Sequence, residues 1–193
     1  MPNSGNSTHC TLYTYAKAGN SYSDRILSLG NLSPKGLQKL KQMTMEYQAA
    51  EVQVTYKSKV KASQRPQITT SREVYELLMK VYNPDNIELK ECFKVVLLNQ
   101  ANKVLGVHNL SIGGIDGTYA DVRSILQIAI LTNAVGIIVS HNHPSGNTSP
   151  SVNDRKLTTT IKQACDIMNI RLIDHIIVTL ESYYSFGDEG DLF

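Results

Sequence analysis

The stretch "GIIVSHNHPSGNTSPSVND", residues 136–154, constrains this chain more than any other. Its first four residues are apolar, with no alternation of polar and apolar positions. A strand of that kind hides both faces, so other layers must cover it on each side. Amphipathic patterns supply those layers. Val122, Ile125, Leu126, Ala129 and Ile130 recur at helical spacing upstream. Leu157, Ile161, Ala164, Cys165 and Met168 do so downstream. A third stripe, Val74, Leu77, Leu78 and Val81, follows Thr70 and Glu73, which have capping-box spacing. Thr118 and Asp121 repeat that spacing before the Val122 stripe, and Gly136 is placed to cap that helix at its C-terminus. "FKVVLLN" and "KVLGVHNL" flank the polar residues 99–102 and predict a hairpin. "RLIDHIIVT" and "YYSF" predict closing strands. Strands interleaved with helices, plus one hairpin, predict an α/β domain with a mixed sheet.

Residues 1–48 have a different character. They are rich in Ser, Thr, Asn and Gly and show no sustained period, which predicts an extension with little fixed structure. A short helix is expected in "LSPKGLQKLKQM", with Ser33 as N-cap and Pro34 at the first helical position. Its Lys35, Lys39 and Lys41 read as a solvated face. Met43 or Met45 is an alternative start. The folded domain is expected over residues 49–193, opening with a strand in "EVQVTY".

Charge and cysteines narrow the class. The net charge of +2 does not by itself imply a nucleic-acid partner. Cys10, Cys92 and Cys165 are odd in number, far apart and outside any CxxC, which argues against a disulfide framework and for a reducing cytoplasm. No apolar run nears the roughly 20 residues of a membrane span, so no membrane partner is expected. The first residues lack the charged and apolar regions of a secretory signal.

The chemistry sits after the apolar run. His141 and His143 are two apart at a strand end, so both point to one face and can converge on a cation. Asp154 falls three before Leu157 and seven before Ile161, on the apolar stripe of the following helix. A carboxylate aimed at a sheet is costly unless something pairs with it. Ser151-x-x-Asp154 also has capping-box spacing, which accounts for Ser151 and Asp154 but not for the histidines. Two His and one Asp leave a fourth coordination position open, the layout of a catalytic zinc. Water bound there needs a general base, and Glu88 and Glu91 precede a buried strand. Glu91 abuts "CFKVVLL" and is the better anchored.

Glu91, then His141-x-His143-Pro144, then Ser151-x-x-Asp154, resembles the JAMM motif of JAB/MPN metalloproteases. "HNHPSG" with "LIDHIIV" resembles the bacterial RadC branch of that superfamily, over about residues 51–193. The resemblance implies a cytidine-deaminase-like α/β sandwich and one zinc ion held by His141, His143 and Asp154. It makes Glu91 the general base and acid and has Ser151 stabilise the oxyanion. Peptide or isopeptide hydrolysis follows, on a peptide or protein substrate. Longer RadC proteins carry a helix-hairpin-helix-like region, and "LSLGNLSPKGLQKLKQ" is at most a fragment of one. DNA is therefore a weakly supported partner. Ubiquitin-binding inserts are absent between Glu91 and His141.

There are three rivals, the first of them disfavoured. Nucleobase deaminases use HxE with PCxxC, which this chain lacks. A non-haem iron enzyme also uses two His and a carboxylate. A DNA-associated module without proteolytic activity is the third. Arg123 is a substrate-contact candidate, His175 is expected as a structural histidine among apolar residues, and His108 and His9 carry no expected function.

Overall fold

The structure, a computed structural model, describes residues 12–14, 48–50, 56, 59–113 and 120–192. Contacts divide the chain into two units, Met1–Val54 and Thr55–Phe193. In the first, β1 (Leu12–Thr14) pairs antiparallel with β2 (Gln48–Ala50), placing Tyr13 opposite Ala49. β1 lies inside the stretch expected to hold little fixed structure. The helix expected after Ser33 lies outside the described residues. So does the strand expected over 51–56, except for Tyr56, whose hydroxyl donates to the carbonyl of Leu105.

The second unit is built on one five-stranded sheet. Its elements are α1 (Ser71–Met79), β3 (Cys92–Leu98), β4 (Val104–Ile112), α2 (Val122–Leu131), β5 (Gly136–Asn142), α3 (Val152–Ile167), β6 (Arg171–Val178) and β7 (Tyr183–Ser185). The order across the sheet is β4-β3-β5-β6-β7. β5 and β6 run parallel, and every other pair in this sheet is antiparallel. A parallel pair needs a long crossover, which α3 provides. The hairpin forms as predicted, with Asn102 at φ 53° closing the turn between β3 and β4.

Both faces of the sheet are covered. On one, Phe93, Val95, Ile137, Val139 and Ile177 pack with Ile125 and Ala129 of α2 and Ile161 and Cys165 of α3. On the other, Val96, Leu98, Ile138, Ile176 and Val178 pack with Val74, Tyr75 and Leu78 of α1. β5 lies between these cores and is buried at every position, as its unbroken apolar run requires. Together these make an α/β architecture with a mixed sheet between helical layers.

Two local expectations are corrected. The N-cap of α2 is Asp121, expected as the fourth residue of a box whose first, Thr118, lies outside the described residues; its carboxylate accepts from Arg123 N at 3.0 Å and from the Ser124 hydroxyl at 2.9 Å. Asp121 is itself an N-cap residue type, and it sits directly before the stripe. Gly136 does not end α2 either. Asn133 takes the left-handed position there, at φ 51°, and Gly136 opens β5. A Cβ on Gly136 would lie 2.7 Å from Cδ1 of Ile173, so close approach of β6 explains that glycine.

Candidate metal centre

β5 delivers the two histidines. His141 faces the α2/α3 side, in register with Phe93 on β3 and Ile177 on β6. The amide of His143 donates to Val178 O at 3.1 Å, which prolongs the ladder by one residue and returns His143 to the same face. Their Nε2 atoms lie 2.9 Å apart. Asp154 arrives from the first turn of α3. Its Oδ1 is 3.2 Å from His141 Nε2, and its Oδ2 is 3.7 Å from His143 Nε2. All three donors fall within 4.8 Å of one another.

The two readings of Ser151 and Asp154 hold together. Asp154 N donates to Ser151 Oγ at 3.1 Å, and Ser151 N donates to Asp154 Oδ2 at 2.7 Å, a complete capping box. The carboxylate has a second oxygen, and that one meets His141. Burial raises the Asp154 pKa, but the adjacent His141 and His143 rings and the hydrogen bond from Ser151 outweigh it and hold the carboxyl well below the usual carboxylate range.

The other ring nitrogens are spoken for. His143 Nδ1 lies 2.6 Å from the carbonyl of Asn147, which can only accept. The proton is therefore on Nδ1, and Nε2 of the neutral ring presents a lone pair. The same ring is drawn toward its charged form chiefly by the nearby Asp154 carboxylate, against the opposing effect of burial. His141 Nδ1 lies 2.9 Å from Nε2 of His175. His175 is the residue that sequence reasoning undervalued. It is fully buried and stacks on Phe186, while Phe93 stacks on His141. Its position beside His141 follows from the parallel register of β5 and β6, which residue spacing does not reveal.

The donor set fits a small divalent ion. Tetrahedral zinc with bonds of about 2.0–2.2 Å holds its donors about 3.3–3.6 Å apart. The separations here are 2.9 Å for His141–His143, 3.2 Å for His141–Asp154 and 3.7 Å for His143–Asp154.

Beside the donors is an open cleft of about 450 Å³, lined by Leu89, Glu91, His143, Asn147 and Ser151 among others. Glu91 thus shares a cleft with His143, whereas Glu88 does not line it. A second residue missed by sequence reasoning holds Glu91 in place. Asn142, between the two histidines, points to the opposite face and is wholly buried. Its Oδ1 accepts from Cys92 N at 2.8 Å, and its Nδ2 donates to the carbonyls of Ile87 and Lys90 at 2.6 and 2.9 Å. Those bonds grip the chain on both sides of Glu91. The signal was present in the alternation of a strand: if both histidines face one way, the residue between them faces the other. Arg123 is exposed at the start of α2 and does not line the cleft. His108 is half-buried on β4, and His9 lies outside the described residues.

Residues 68–191, well over half of the chain, match the RadC-like JAB domain family. The chain belongs to that family. Its curated relatives include a UPF0758 protein of Actinobacillus pleuropneumoniae, 36% identical over 165 residues, covering 86% of this chain and 69% of the relative. A UPF0758 protein of Flavobacterium johnsoniae is 41% identical over 124 residues, covering 64% of this chain and 52% of the relative. One from Thermotoga maritima is 42% identical over 103 residues, covering 53% and 46%. The chain thus spans about half the length of the last two. No helix among the described residues of this RadC-like JAB domain is long and apolar enough to cross a membrane.

Proposed function

We propose that this RadC-like JAB domain is a zinc-dependent hydrolase of peptide or isopeptide bonds. The observation that carries the reading is the convergence of His141, His143 and Asp154 within 4.8 Å beside a cleft shared by Glu91 and Ser151. His141 Nε2, His143 Nε2 and a carboxylate oxygen of Asp154 would hold the ion. When bound, zinc supplies Lewis-acid chemistry, making water acidic and polarising a carbonyl.

The chain's own residues do the rest. Asn142 holds the backbone around Glu91, so the carboxylate has a fixed place from which to accept the proton of an attacking water. Glu91 then returns that proton to the departing nitrogen. Ser151 Oγ accepts from Asp154 N, which occupies a lone pair and leaves the hydroxyl proton to donate to a developing oxyanion. The substrate is a peptide or protein segment that enters the open cleft.

The test is hydrolysis of a diverse peptide library by zinc-loaded protein. Glu91→Gln keeps the side-chain volume but cannot take up the proton. It should retain zinc and melting temperature while losing roughly 10²–10⁴-fold in rate. Glu88→Gln, outside the cleft, should cost little. Full activity in Glu91→Gln would overturn the assignment, and loss of zinc would make Glu91 a ligand. Metal analysis of protein purified without added metal separates the zinc reading from an iron one.

A further inference from the structure

His141 can serve the centre only if its Nε2 is bare. A neutral imidazole meets that condition only when its proton sits on Nδ1. For His143 a backbone carbonyl decides the matter. For His141 the partner is another imidazole, Nε2 of His175 at 2.9 Å, which can either donate or accept. One proton lies between the two rings, and its owner is set one step further away.

Nδ1 of His175 is 2.7 Å from Thr158 Oγ1. Thr158 is 2% exposed on α3, and its hydroxyl donates to the backbone carbonyl of Asp154 at 2.6 Å. A hydroxyl has one proton. With that proton on the carbonyl, Oγ1 must accept from His175, so His175 carries its proton on Nδ1. Its Nε2 is then bare and accepts from Nδ1–H of His141. His141 Nε2 is left as a lone pair facing His143 and Asp154. The opposite polarity would run Thr158 to His175 to His141 and place a proton on His141 Nε2, where it would block an ion.

We propose that Thr158 and His175 are positioning residues that hold His141 in its metal-binding tautomer, through a hydrogen-bond chain anchored on the backbone carbonyl of Asp154. The proposal rests on the reading of His141, His143 and Asp154 as metal donors. Two further features suit the role. Phe186, with ring centroids 4.7 Å away and planes 11° apart, fixes the orientation of the His175 ring. The chain also joins two ligands: the residue whose carbonyl sets the tautomer of His141 also supplies the carboxylate.

The experiment reads tautomers directly. Long-range ¹H–¹⁵N NMR on chelator-stripped protein assigns the protonated nitrogen of each histidine. In the wild type, His141 and His175 should both be protonated on Nδ1. Thr158→Val keeps the side-chain shape and removes the acceptor. The His175 proton should then move to Nε2, and the His141 proton to its own Nε2. Zinc affinity, measured by competition with a chromogenic chelator, should weaken roughly 10–100-fold. Thr158→Ser restores the hydroxyl and should restore both readouts.

His175 offers a second arm should the valine variant not fold. His175→Gln can accept from His141 Nδ1–H through its amide oxygen and should bind zinc far better than His175→Leu. Wild-type His141 protonated on Nε2 overturns the proposal. So does a folded Thr158→Val with unchanged tautomers, or equal zinc affinity in the glutamine and leucine variants. Wild-type protein that shows the expected tautomers but retains no zinc upholds the hydrogen-bond polarity and overturns the metal reading instead.

Discussion

Helices α1 and α3 begin with the same device and put it to different use. At α1, Glu73 N donates to Thr70 Oγ1 at 3.2 Å, and Thr70 N donates to Glu73 Oε2 at 3.1 Å. At α3, Ser151 and Asp154 repeat the exchange at 3.1 and 2.7 Å. Both boxes satisfy amides that the first turn leaves without partners. The carboxylates then part company. Glu73 bonds the amide and hydroxyl of Thr69 and stays near solvent. The Asp154 side chain is 13% exposed and turns its second oxygen to His141. A local motif states how a helix begins. What the free side of its carboxylate does depends on the strand end that faces it.

The comparison breaks most sharply under one charge-removing substitution made in both boxes. Asp154→Asn retains an oxygen for the amide of Ser151, so α3 should remain capped and melting should change little. The anionic donor beside His141 is gone, and zinc should no longer copurify. Glu73→Gln is the partner experiment and should leave zinc content unaltered. Metal analysis with thermal melts on both variants checks the pair. Stoichiometric zinc in Asp154→Asn would reduce the second box to a cap like the first.

Removing the hydroxyl from each box sharpens the contrast. Thr70→Ala and Ser151→Ala should each lose about 1 kcal/mol of stability, the usual effect of deleting an N-cap oxygen. Only Ser151→Ala should also slow hydrolysis, by perhaps 10²–10³-fold if its hydroxyl acts as one oxyanion donor. Equal rates in the two variants would confine Ser151 to capping.

Zinc binding should depend on pH because the donors must be unprotonated. Asp154 raises the His143 pKa in the metal-free protein, so the proton is held from somewhat above histidine's ordinary 6.5 downward. Zinc affinity should fall as the pH drops through that window, with release of the proton on binding seen by calorimetry in two buffers.

The smallest effect belongs to α1. The backbone N–H of Thr69 is the leading cause holding Glu73 below its ordinary value of 4.5. A carboxyl lowered in the folded state stabilises it above the unfolded pKa, and that contribution is lost as pH falls through the folded value. The stability difference between wild type and Glu73→Gln should therefore shrink in acid. Urea melts at neutral and acidic pH measure it.

Much of the layout was legible because it depends on local periods. The unbroken apolar run of residues 136–139 called for two covering layers, and α1 lies on one face while α2 and α3 lie on the other. Both boxes were visible in four-residue spacings. Helix ends were less so. Several polar residues near 118–136 could cap α2, and only the geometry chose Asp121 for its start and Asn133 for its end.

The residues themselves determined that His141 and His143 share a face, because side chains alternate along a strand, and that Asp154 lies on the inward stripe of α3, because a helix repeats every 3.6 residues. Tertiary structure decided what those faces meet. Parallel pairing of β6 with β5 set His175 against His141, and the return of α3 set Thr158 against His175. Asn142 reached the segment around Glu91 only because the turn before β3 folds beneath the end of β5. Contacts of this kind span 17 to 55 residues of sequence. Register and packing between elements create them, and no repeat along the chain records either.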